Sequence, residues 1–252
     1  MAIAADLALD LACSLDPVIL AGKAGIFADP WQCDVLRSTA ARVLLLCSRQ
    51  AGKFTITSIL AVHTALYEPG SLVLLLSPTL RQSGELFKKC IRVYQALGRP
   101  VPSDSESALQ LELENGSRIV SLPGKEGTIR GFSGVRLLAI DEAAWVPDDL
   151  YLAVRPMLAV SQGRLVALST PHGTRGWFYE AWRGQEPWER YEVPATRCPR
   201  ISAAFLEEEK RNMGEWWFEQ EYLCRFLDAQ SQAFSRDDIE QCFREEVEGW
   251  SL

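Results

Sequence analysis

The sequence lacks the features that mark membrane-spanning, secreted and disulfide-bonded proteins. None of its apolar runs approaches the roughly 18 residues that a membrane-spanning helix needs. The apolar N-terminus, residues 1–21, has no basic segment ahead of it and carries acidic residues, so it does not resemble a secretory signal. The seven cysteines are odd in number, scattered, and contain no C-x-x-C pair. They indicate reduced thiols in a cytosolic protein rather than a disulfide framework or a zinc site.

Internal repeats and low-complexity stretches are also absent, and the charge is not uniform. The length of 252 residues, with 48% hydrophobic and 23% charged residues, suits one large α/β domain, alone or with appended helices. The net charge is −7, yet residues 37–100 contain nine Lys and Arg against two Glu, and residues 201–252 contain thirteen Asp and Glu against five Lys and Arg. The basic segment suits phosphates of a nucleotide or of DNA, whereas the acidic segment would repel DNA and suits a basic partner.

The most informative stretch that is present covers residues 43–55, an apolar run followed by Ser-Arg-Gln-Ala-Gly-Lys-Phe-Thr. A buried strand that leads through Gly-Lys into a helix presents free backbone N–H groups and the positive end of the helix dipole to a phosphate. Against the pattern G-x-x-x-x-G-K-[ST], Cys47 replaces the first glycine and Phe54 replaces the hydroxyl residue. The loop alone therefore does not distinguish nucleotide binding from a chance Gly-Lys pair.

Strands and helices are predicted to alternate through most of the chain. Strands are expected at about 42–46, 72–76, 135–141, 164–168 and 190–193. Helices are expected at about 6–20, 54–67, 81–97, 173–183, 207–210 and 216–226, and a further helix starts at Pro30, after a plausible N-cap at Asp29, and ends before the strand at 42. Repeated strand–turn–helix units indicate βαβ units with a parallel sheet and right-handed crossovers. A separate β-hairpin is predicted around the turn Asn115-Gly116.

Polar residues follow the strand ends, and these ends meet at one edge of a parallel sheet. Asp141 and Glu142 lie 88 and 89 residues beyond Lys53 and close a strand. One carboxylate can hold Mg²⁺ and the other can activate water. Ser169 and Thr170 follow another strand in the same way. An isolated acidic pair would more simply cap a helix, but its joint occurrence with the Gly-Lys loop favours a metal–nucleotide site.

Two further features allow more than one interpretation. Gln32 carries an amide that suits an adenine edge, although a surface helix residue is the simpler alternative. The predicted helix 81–97 carries four basic residues that either contact DNA or form a solvated helix face: Arg81, Lys88, Lys89 and Arg92.

Taken together, the chain resembles the ATPase (motor) domain of a tailed-bacteriophage large terminase subunit, from about residue 27 to residue 243. Residues 48–53 resemble its Walker A loop, residues 137–142 its Walker B strand, residues 169–171 its coupling motif, and residues 31–32 its adenine-reading motif. The segment 129–131 resembles the one that carries a trans-acting arginine.

The resemblance implies a P-loop NTPase of the RecA/ASCE-like class, with a mostly parallel sheet flanked by helices and a small C-terminal helical lid or linker subdomain. The expected organisation is an N-terminal helical extension at 1–26, the ATPase core at 27–200 and the lid at 201–252. Segments 221–228 and 234–240 resemble the junction to the family's nuclease domain, which is expected to be absent. The implied cofactors are ATP and Mg²⁺.

The resemblance also implies a role for each site residue. Glu142 activates water, Arg49 senses the γ-phosphate, and Arg130 acts from a neighbouring subunit, which predicts weak ATPase activity in the monomer. Asp141 and Thr55 would hold the metal, although Thr55 would need a shifted loop to substitute for Phe54. Nucleotide contacts are expected from Gln32, Ser48, Arg49, Gln50, Ala51, Gly52, Lys53, Thr55, Ser169 and Thr170.

The implied function is an ATP-hydrolysing motor that moves double-stranded viral DNA into a procapsid in the cytoplasm of an infected bacterium. Its expected partners are DNA, the portal protein and the small terminase subunit. The subunits are expected to form a pentameric ring when active, to be monomeric in isolation, and to act without a membrane. Two alternatives are a helicase-like ATPase, which normally needs a second RecA-like domain, and a catalytically impaired nucleotide-binding or regulatory protein, which Phe54 would explain.

Overall fold

A computed structural model describes residues 2–124, 129 and 131–228 of the chain. Its helices are α1 (Ala2–Leu15), α2 (Pro17–Lys23), α3 (Pro30–Arg37), α4 (Lys53–Tyr67), α5 (Leu80–Ala96), α6 (Asp148–Val154), α7 (Trp177–Arg183), α8 (Ala203–Met213) and α9 (Glu215–Leu223). Its strands are β1 (Arg42–Cys47), β2 (Leu72–Ser77), β3 (Ser103–Glu106), β4 (Gln110–Leu113), β5 (Arg118–Pro123), β6 (Val135–Asp141), β7 (Arg164–Ser169) and β8 (Glu189–Val193). Short 3₁₀ turns lie at Ala143–Trp145, Arg155–Leu158 and Ala195–Arg197.

The described strands form one sheet with the order β3-β4-β5-β2-β6-β7-β1-β8. The six strands from β5 to β8 in this order pair in parallel, and β3 and β4 extend the sheet in antiparallel fashion. This arrangement confirms the predicted mixed α/β fold with a mostly parallel sheet. Strand β7 separates β1 from β6, so the loop after β1 and the acids at the end of β6 face each other across one intervening strand end.

The central strands are apolar throughout because helices cover both faces of the sheet. Along β1, Val43 and Leu45 join the core cluster on the side of α1 to α5, whereas Leu44 and Leu46 join the cluster on the side of α6 and α7. Successive side chains of a strand point to opposite faces, which explains this alternation. The sheet is thus packed against helices on both faces, and this packing also fixes the positions of its strand ends.

Helices α8 and α9, which we call the C-terminal helix pair, have a much smaller core of their own. It consists of four buried residues, Ala195, Leu206, Phe218 and Tyr222. The Phe218 and Tyr222 rings stack with centroids 5.4 Å apart, and the Tyr222 hydroxyl donates to Glu209 at 2.9 Å. The helix pair is therefore packed mainly within itself. Trp217, by contrast, is exposed, and Phe226 packs against the core cluster on the side of α6 and α7.

The structure differs from the sequence-based predictions at the N-terminus and around α7. The single helix predicted at 6–20 is wrong, because the helix breaks at Asp16, whose carboxylate accepts from the Val18 N–H at 2.9 Å ahead of Pro17. Proline at the first helical position cannot continue the preceding helix. Helix α7 begins four residues later than predicted, and β3 and α6 were not predicted.

Some predictions fall on residues whose structure is not described. Arg130 and the segment 234–240 both lie outside the described residues. Among the helices in the described part of the chain, none combines the length and the apolar character needed to cross a membrane.

Candidate nucleotide-binding site

The loop after β1 has the backbone shape of a phosphate-binding loop. Gly52 has φ +98° and immediately precedes α4, whose first residue is Lys53. A side chain is disfavoured there both by this left-handed backbone and by space, because a Cβ at Gly52 would lie 2.7 Å from the Gln32 amide nitrogen. Glycine is therefore required at this position, and the N–H groups of the first turn of α4 are directed toward the loop.

Lys53 and Glu142 form an ion pair across the site, with Nζ and Oε1 2.8 Å apart. The two side chains are 9% and 20% exposed. Burial alone would lower the pKa of Lys53, but the Glu142 and Asp141 carboxylates outweigh it and raise the pKa. Lys53 is therefore held as a cation at the point where the loop meets the end of β6. Sequence reasoning predicted this meeting from residues 89 positions apart.

Asp141 is fully buried behind this pair. Both of its carboxylate oxygens are without a hydrogen-bond partner among the described residues. Burial, reinforced by the neighbouring Glu142 charge, raises the pKa of Asp141 to about 7. An ionised carboxylate without partners is costly in such surroundings unless a cation joins it. The donor set suits Mg²⁺, which binds one or two carboxylates together with substrate phosphates.

Glu142 is oriented by the end of β7 as well as by Lys53. Its residue has a left-handed backbone, φ 47° and ψ 48°. The Ser169 hydroxyl donates to Glu142 Oε2 at 3.3 Å, and the Thr170 N–H lies 3.5 Å from the same oxygen. Ser169 Oγ also accepts from the Ala144 N–H at 3.2 Å. Ser169 and Thr170 thus reach the site through Glu142, the residue that sequence reasoning assigned to water activation.

A cavity of about 880 Å³ opens in front of these groups. Four cationic side chains line it, Lys53, Lys89, Arg49 and Arg200, together with two carboxylates, Glu142 and Glu221. The excess of positive charge favours an anionic ligand, and the volume lies within the 300–1,000 Å³ typical of small-molecule sites.

Another part of the cavity wall is formed by Gln32 and Arg200, both of which contact Asp29. The Asp29 N–H donates to Gln32 Oε1 at 2.9 Å, and the buried Gln32 Nε2 has no partner among the residues that the structure describes. Arg200 pairs with the Asp29 carboxylate at 2.7 Å and donates to the Ala51 carbonyl at 3.3 Å. The amide proposed to read a base therefore lies directly against the phosphate loop at Gly52.

Arg49 lies against the C-terminal helix pair. Its Nε and Glu221 Oε2 are 2.5 Å apart, and its backbone N–H donates to the Glu221 carbonyl at 2.9 Å. The Arg49 side chain is 66% exposed. Its role at the γ-phosphate remains a prediction.

The positions after Lys53 have unusual surroundings for a phosphate loop. Phe54 is half-buried, packs against the main core cluster, and lines the cavity. The Thr55 hydroxyl accepts from Lys89 Nζ at 3.0 Å. The metal-binding role predicted for Thr55 therefore stays a prediction, and its hydroxyl contacts an ammonium group in this structure.

Most of the predicted nucleotide-binding residues converge on one cavity. Gln32, Arg49, Gln50, Ala51, Gly52, Lys53, Thr55 and Thr170 line it. Ser48, Asp141 and Ser169 are buried behind its wall.

Sequence reasoning did not assign several residues of the cavity wall to the site, among them Lys89, Arg200, Glu221 and Trp145. Lys89 carried a signal, because it falls on the apolar stripe of α5 between Leu86 and Val93. Arg200 and Glu221 carried none, since long-range packing brings them to the loop.

Comparisons with known proteins identify sequence relatives of the chain. The terminase large subunit of Thermus phage G20c is 30% identical over 61% of this chain and 36% of its own length, and that of Thermus virus P23-45 gives the same values. The chain thus spans about a third of the length of these relatives.

Solved structures share the fold. The large terminase ATPase domain of Thermus phage P74-26 has a TM-score of 0.73 at 23% identity and covers 82% of this chain and 97% of its own. The large terminase of the thermophilic bacteriophage D6E in complex with ADP has a TM-score of 0.65 at 14% identity, over 79% of this chain and 54% of its own. The match to the family described as "Terminase large subunit, T4likevirus-type, N-terminal" extends over residues 44–241. The chain therefore belongs to the terminase large subunit family and contains its N-terminal domain.

Proposed function

We propose that this chain is an ATP-hydrolysing motor domain that drives double-stranded viral DNA into a procapsid. The observation that carries the proposal is the Lys53–Glu142 ion pair at 2.8 Å, which joins the phosphate loop to the acidic end of β6 in a cationic cavity. Nucleotide hydrolysis uses a cation that binds the phosphates and a group that positions or deprotonates water, and this pair offers both.

Nucleotide binding would use Gln32 and the phosphate loop, which lie side by side in the cavity wall. The base would meet the free Nε2 of Gln32, and the phosphates would meet Lys53 and the N–H groups around Gly52. Lys53 cannot hold the phosphates and Glu142 equally well. An arriving phosphate therefore draws Lys53 away and releases the Glu142 carboxylate for a water molecule. The Glu142 carboxylate thus becomes available as a general base only when a nucleotide is bound.

The residues present fit a Mg²⁺ ion, because both Asp141 oxygens are buried without a partner. Asp141 would hold the ion, with Thr55 as a further candidate ligand. When bound, Mg²⁺ neutralises charge on the phosphates and on the departing group.

Glu142 would deprotonate the attacking water, while Ser169 and Thr170 keep its carboxylate oriented. Arg49 would leave Glu221 to meet the γ-phosphate, and Arg130 of a neighbouring subunit would add positive charge. Arginines of this kind contribute roughly 10³–10⁵ in rate in other systems. The isolated monomer would then hydrolyse ATP weakly. The assembled form would be a ring, which we take to be a pentamer that acts with the portal and the small terminase subunit in the host cytoplasm.

Two structures of one structural neighbour support nucleotide as the ligand. The D6E large terminase has been solved with ADP and with ATP-γ-S, and both structures share the fold of this chain. ATP is accordingly the substrate that we propose here.

The proposal is tested by measuring nucleotide binding and Mg²⁺-dependent phosphate release, for the chain alone and with DNA and portal. We expect saturable ATP binding, weak turnover alone, and faster turnover on assembly. Lys53→Ala should lose binding, whereas Lys23→Ala, on an outer helix, should not. A protein that binds no ATP under any of these conditions would refute the proposal.

A second candidate is a nucleotide-binding protein that does not hydrolyse ATP. It is favoured by Phe54 in place of the hydroxyl residue and by the Lys89 contact to the Thr55 hydroxyl. Phe54→Ser distinguishes the two. A gain in Mg²⁺-dependent affinity and turnover would support an impaired native loop, and an unchanged affinity would remove this candidate.

A further inference from the structure

Lys89 is placed unlike the other basic residues of α5. Lys88 and Arg92 are exposed, and Lys88 pairs with Glu85 at 2.8 Å. Lys89 is half-buried on the stripe of α5 that packs against the core, and its Nζ reaches Thr55 in the first turn of α4. A long charged side chain on an apolar stripe usually extends its charge to water. Here the ammonium is directed into the nucleotide cavity instead.

This ammonium lies in a cavity whose cationic side chains outnumber its carboxylates. Lys53, Arg49 and Arg200 line the same cavity. Within the described ranges, no carboxylate forms an ion pair with Lys89. Like charges that are brought together in a partly desolvated cavity favour an anion that neutralises them.

The position of Lys89 in the cavity indicates which part of the anion it meets. Lys53 and Glu142 mark the place where the terminal phosphate would lie. Lys89 instead contacts Thr55, two residues beyond Lys53 in the first turn of α4. In a phosphate loop the backbone N–H groups hold the inner phosphates, whereas the lysine reaches the outer ones, so Lys89 lies where the inner phosphates of a nucleotide would pass.

We propose that Lys89 is a nucleotide-binding residue that contacts the inner phosphates, the groups that ATP and ADP share. This inference rests on the proposed function and deepens it, since it needs a nucleotide in the same cavity. The Thr55 hydroxyl holds the ammonium in place, so α5 supplies the site with a second lysine. Lys89 accordingly leaves the group of DNA-contact candidates, to which Lys88 and Arg92 still belong.

The test compares Lys89→Gln with the matched control Lys88→Gln, which neutralises the neighbouring lysine on the exposed face. Calorimetry would measure the dissociation constants of ATP, ADP and adenosine for the full chain. We expect Lys89→Gln to weaken the binding of ATP and of ADP by a similar factor of roughly 10- to 100-fold and to leave the binding of adenosine unchanged. Lys88→Gln should bind all three like the wild type, and Lys89→Arg should recover most of the phosphate-dependent affinity.

Several outcomes would overturn the inference. Equal ADP affinity of the two glutamine variants would remove Lys89 from the site. A loss for ATP alone would move it to the terminal phosphate, and a loss for adenosine as well would indicate a merely structural role. A loss of DNA binding with unchanged ADP binding would return Lys89 to the DNA-contact group. A wild-type chain that binds neither ATP nor ADP would refute the proposed function itself, a result distinct from the others.

Discussion

The two sides of the nucleotide cavity are built by different means. On one side Asp141 and Glu142 lie at the end of β6, and Lys53 begins α4 after the loop that follows β1; both strands are buried on both faces. On the other side the C-terminal helix pair packs around a small core of four buried residues, three of them its own, and reaches the loop through the contact of Glu221 with Arg49. The Lys53–Glu142 pair is largely buried, whereas the Arg49 side chain is 66% exposed.

The two sides therefore suit different tasks, since the strand ends hold their side chains in precise positions and the helix pair can move. Groups at buried strand ends are fixed by packing that costs several kcal/mol to disturb, which suits a reaction that tolerates little displacement. A helix pair with a small core and exposed ion pairs opens at low cost, which suits an element that responds to a ligand. Four predictions, from the largest expected effect to the smallest, test whether the two sides differ in this way.

Glu142→Gln should abolish most hydrolysis in the assembled form, by about 10²–10⁴-fold, because a general base of that effect is removed. ATP affinity should not fall, since Lys53 loses a competing partner. Phosphate release and ATP titration measure the two effects. Glu207→Gln, on the exposed face of α8, is the control and should match the wild type. Equal losses of affinity and turnover would contradict the assigned role.

Leu45→Ala should lower the free energy of unfolding by about 2–5 kcal/mol, because it leaves a cavity in the centre of the sheet. Leu206→Ala should lower the global free energy of unfolding by less, and it should mainly increase amide hydrogen exchange in α8 and α9. Chemical denaturation and hydrogen exchange measure the two responses. Exchange that rises equally in β1 and in α9 would show that both sides unfold as one unit.

Asp141→Asn should remove a pH dependence of stability from the ligand-free protein. In the folded chain Asp141 keeps its proton up to about pH 7, against an ordinary pKa of 3.8. Its contribution to stability is thus fully present below about pH 4 and is lost as the pH rises through 7, with a slope of at most about 1.4 kcal/mol per pH unit. Thermal unfolding at pH 5 and pH 8 should show that the stability of the variant, relative to that of the wild type, is higher at pH 8 than at pH 5. Asp104→Asn, at an exposed position, should run parallel to the wild type, and a parallel curve for Asp141→Asn would refute the expectation.

Glu221→Gln should have the smallest effect, a loss of roughly 0.2–1 kcal/mol, because its partner Arg49 is mostly exposed to solvent. The loss should shrink further at high salt. Denaturation at two ionic strengths measures it, with the exposed Glu208→Gln as control. A loss of several kcal/mol would show that this side is as firmly built as the strand ends.

The parts of the fold that could be predicted are those with local causes. Mostly apolar segments of five to seven residues predicted β1, β2, β6 and β7, and the pair Asp29-Pro30 predicted the start of α3. The order of the strands could not be predicted, because it depends on which apolar faces pack together. The break at Asp16-Pro17 could have been, since proline excludes a continuous helix there.

The candidate site divides along the same lines. Lys53 and Glu142 could be placed together because parallel strand ends share one edge of the sheet. The partners of Asp29 and Arg49 could not, because Arg200 and Glu221 come from distant segments. Lys89 lies between these cases. Its place on the apolar stripe of α5 was visible, but its contact to Thr55 depends on how α5 packs on α4.

The backbone bond from the Arg49 N–H to the Glu221 carbonyl has a thermodynamic consequence. If a bound nucleotide weakens this bond, the affinity of the C-terminal helix pair for any macromolecule that binds it changes by some factor. Reciprocity then requires that this macromolecule change the nucleotide affinity by the same factor. One backbone hydrogen bond would thus couple the affinity for nucleotide to the affinity for that macromolecule, and a single coupling free energy would describe both effects.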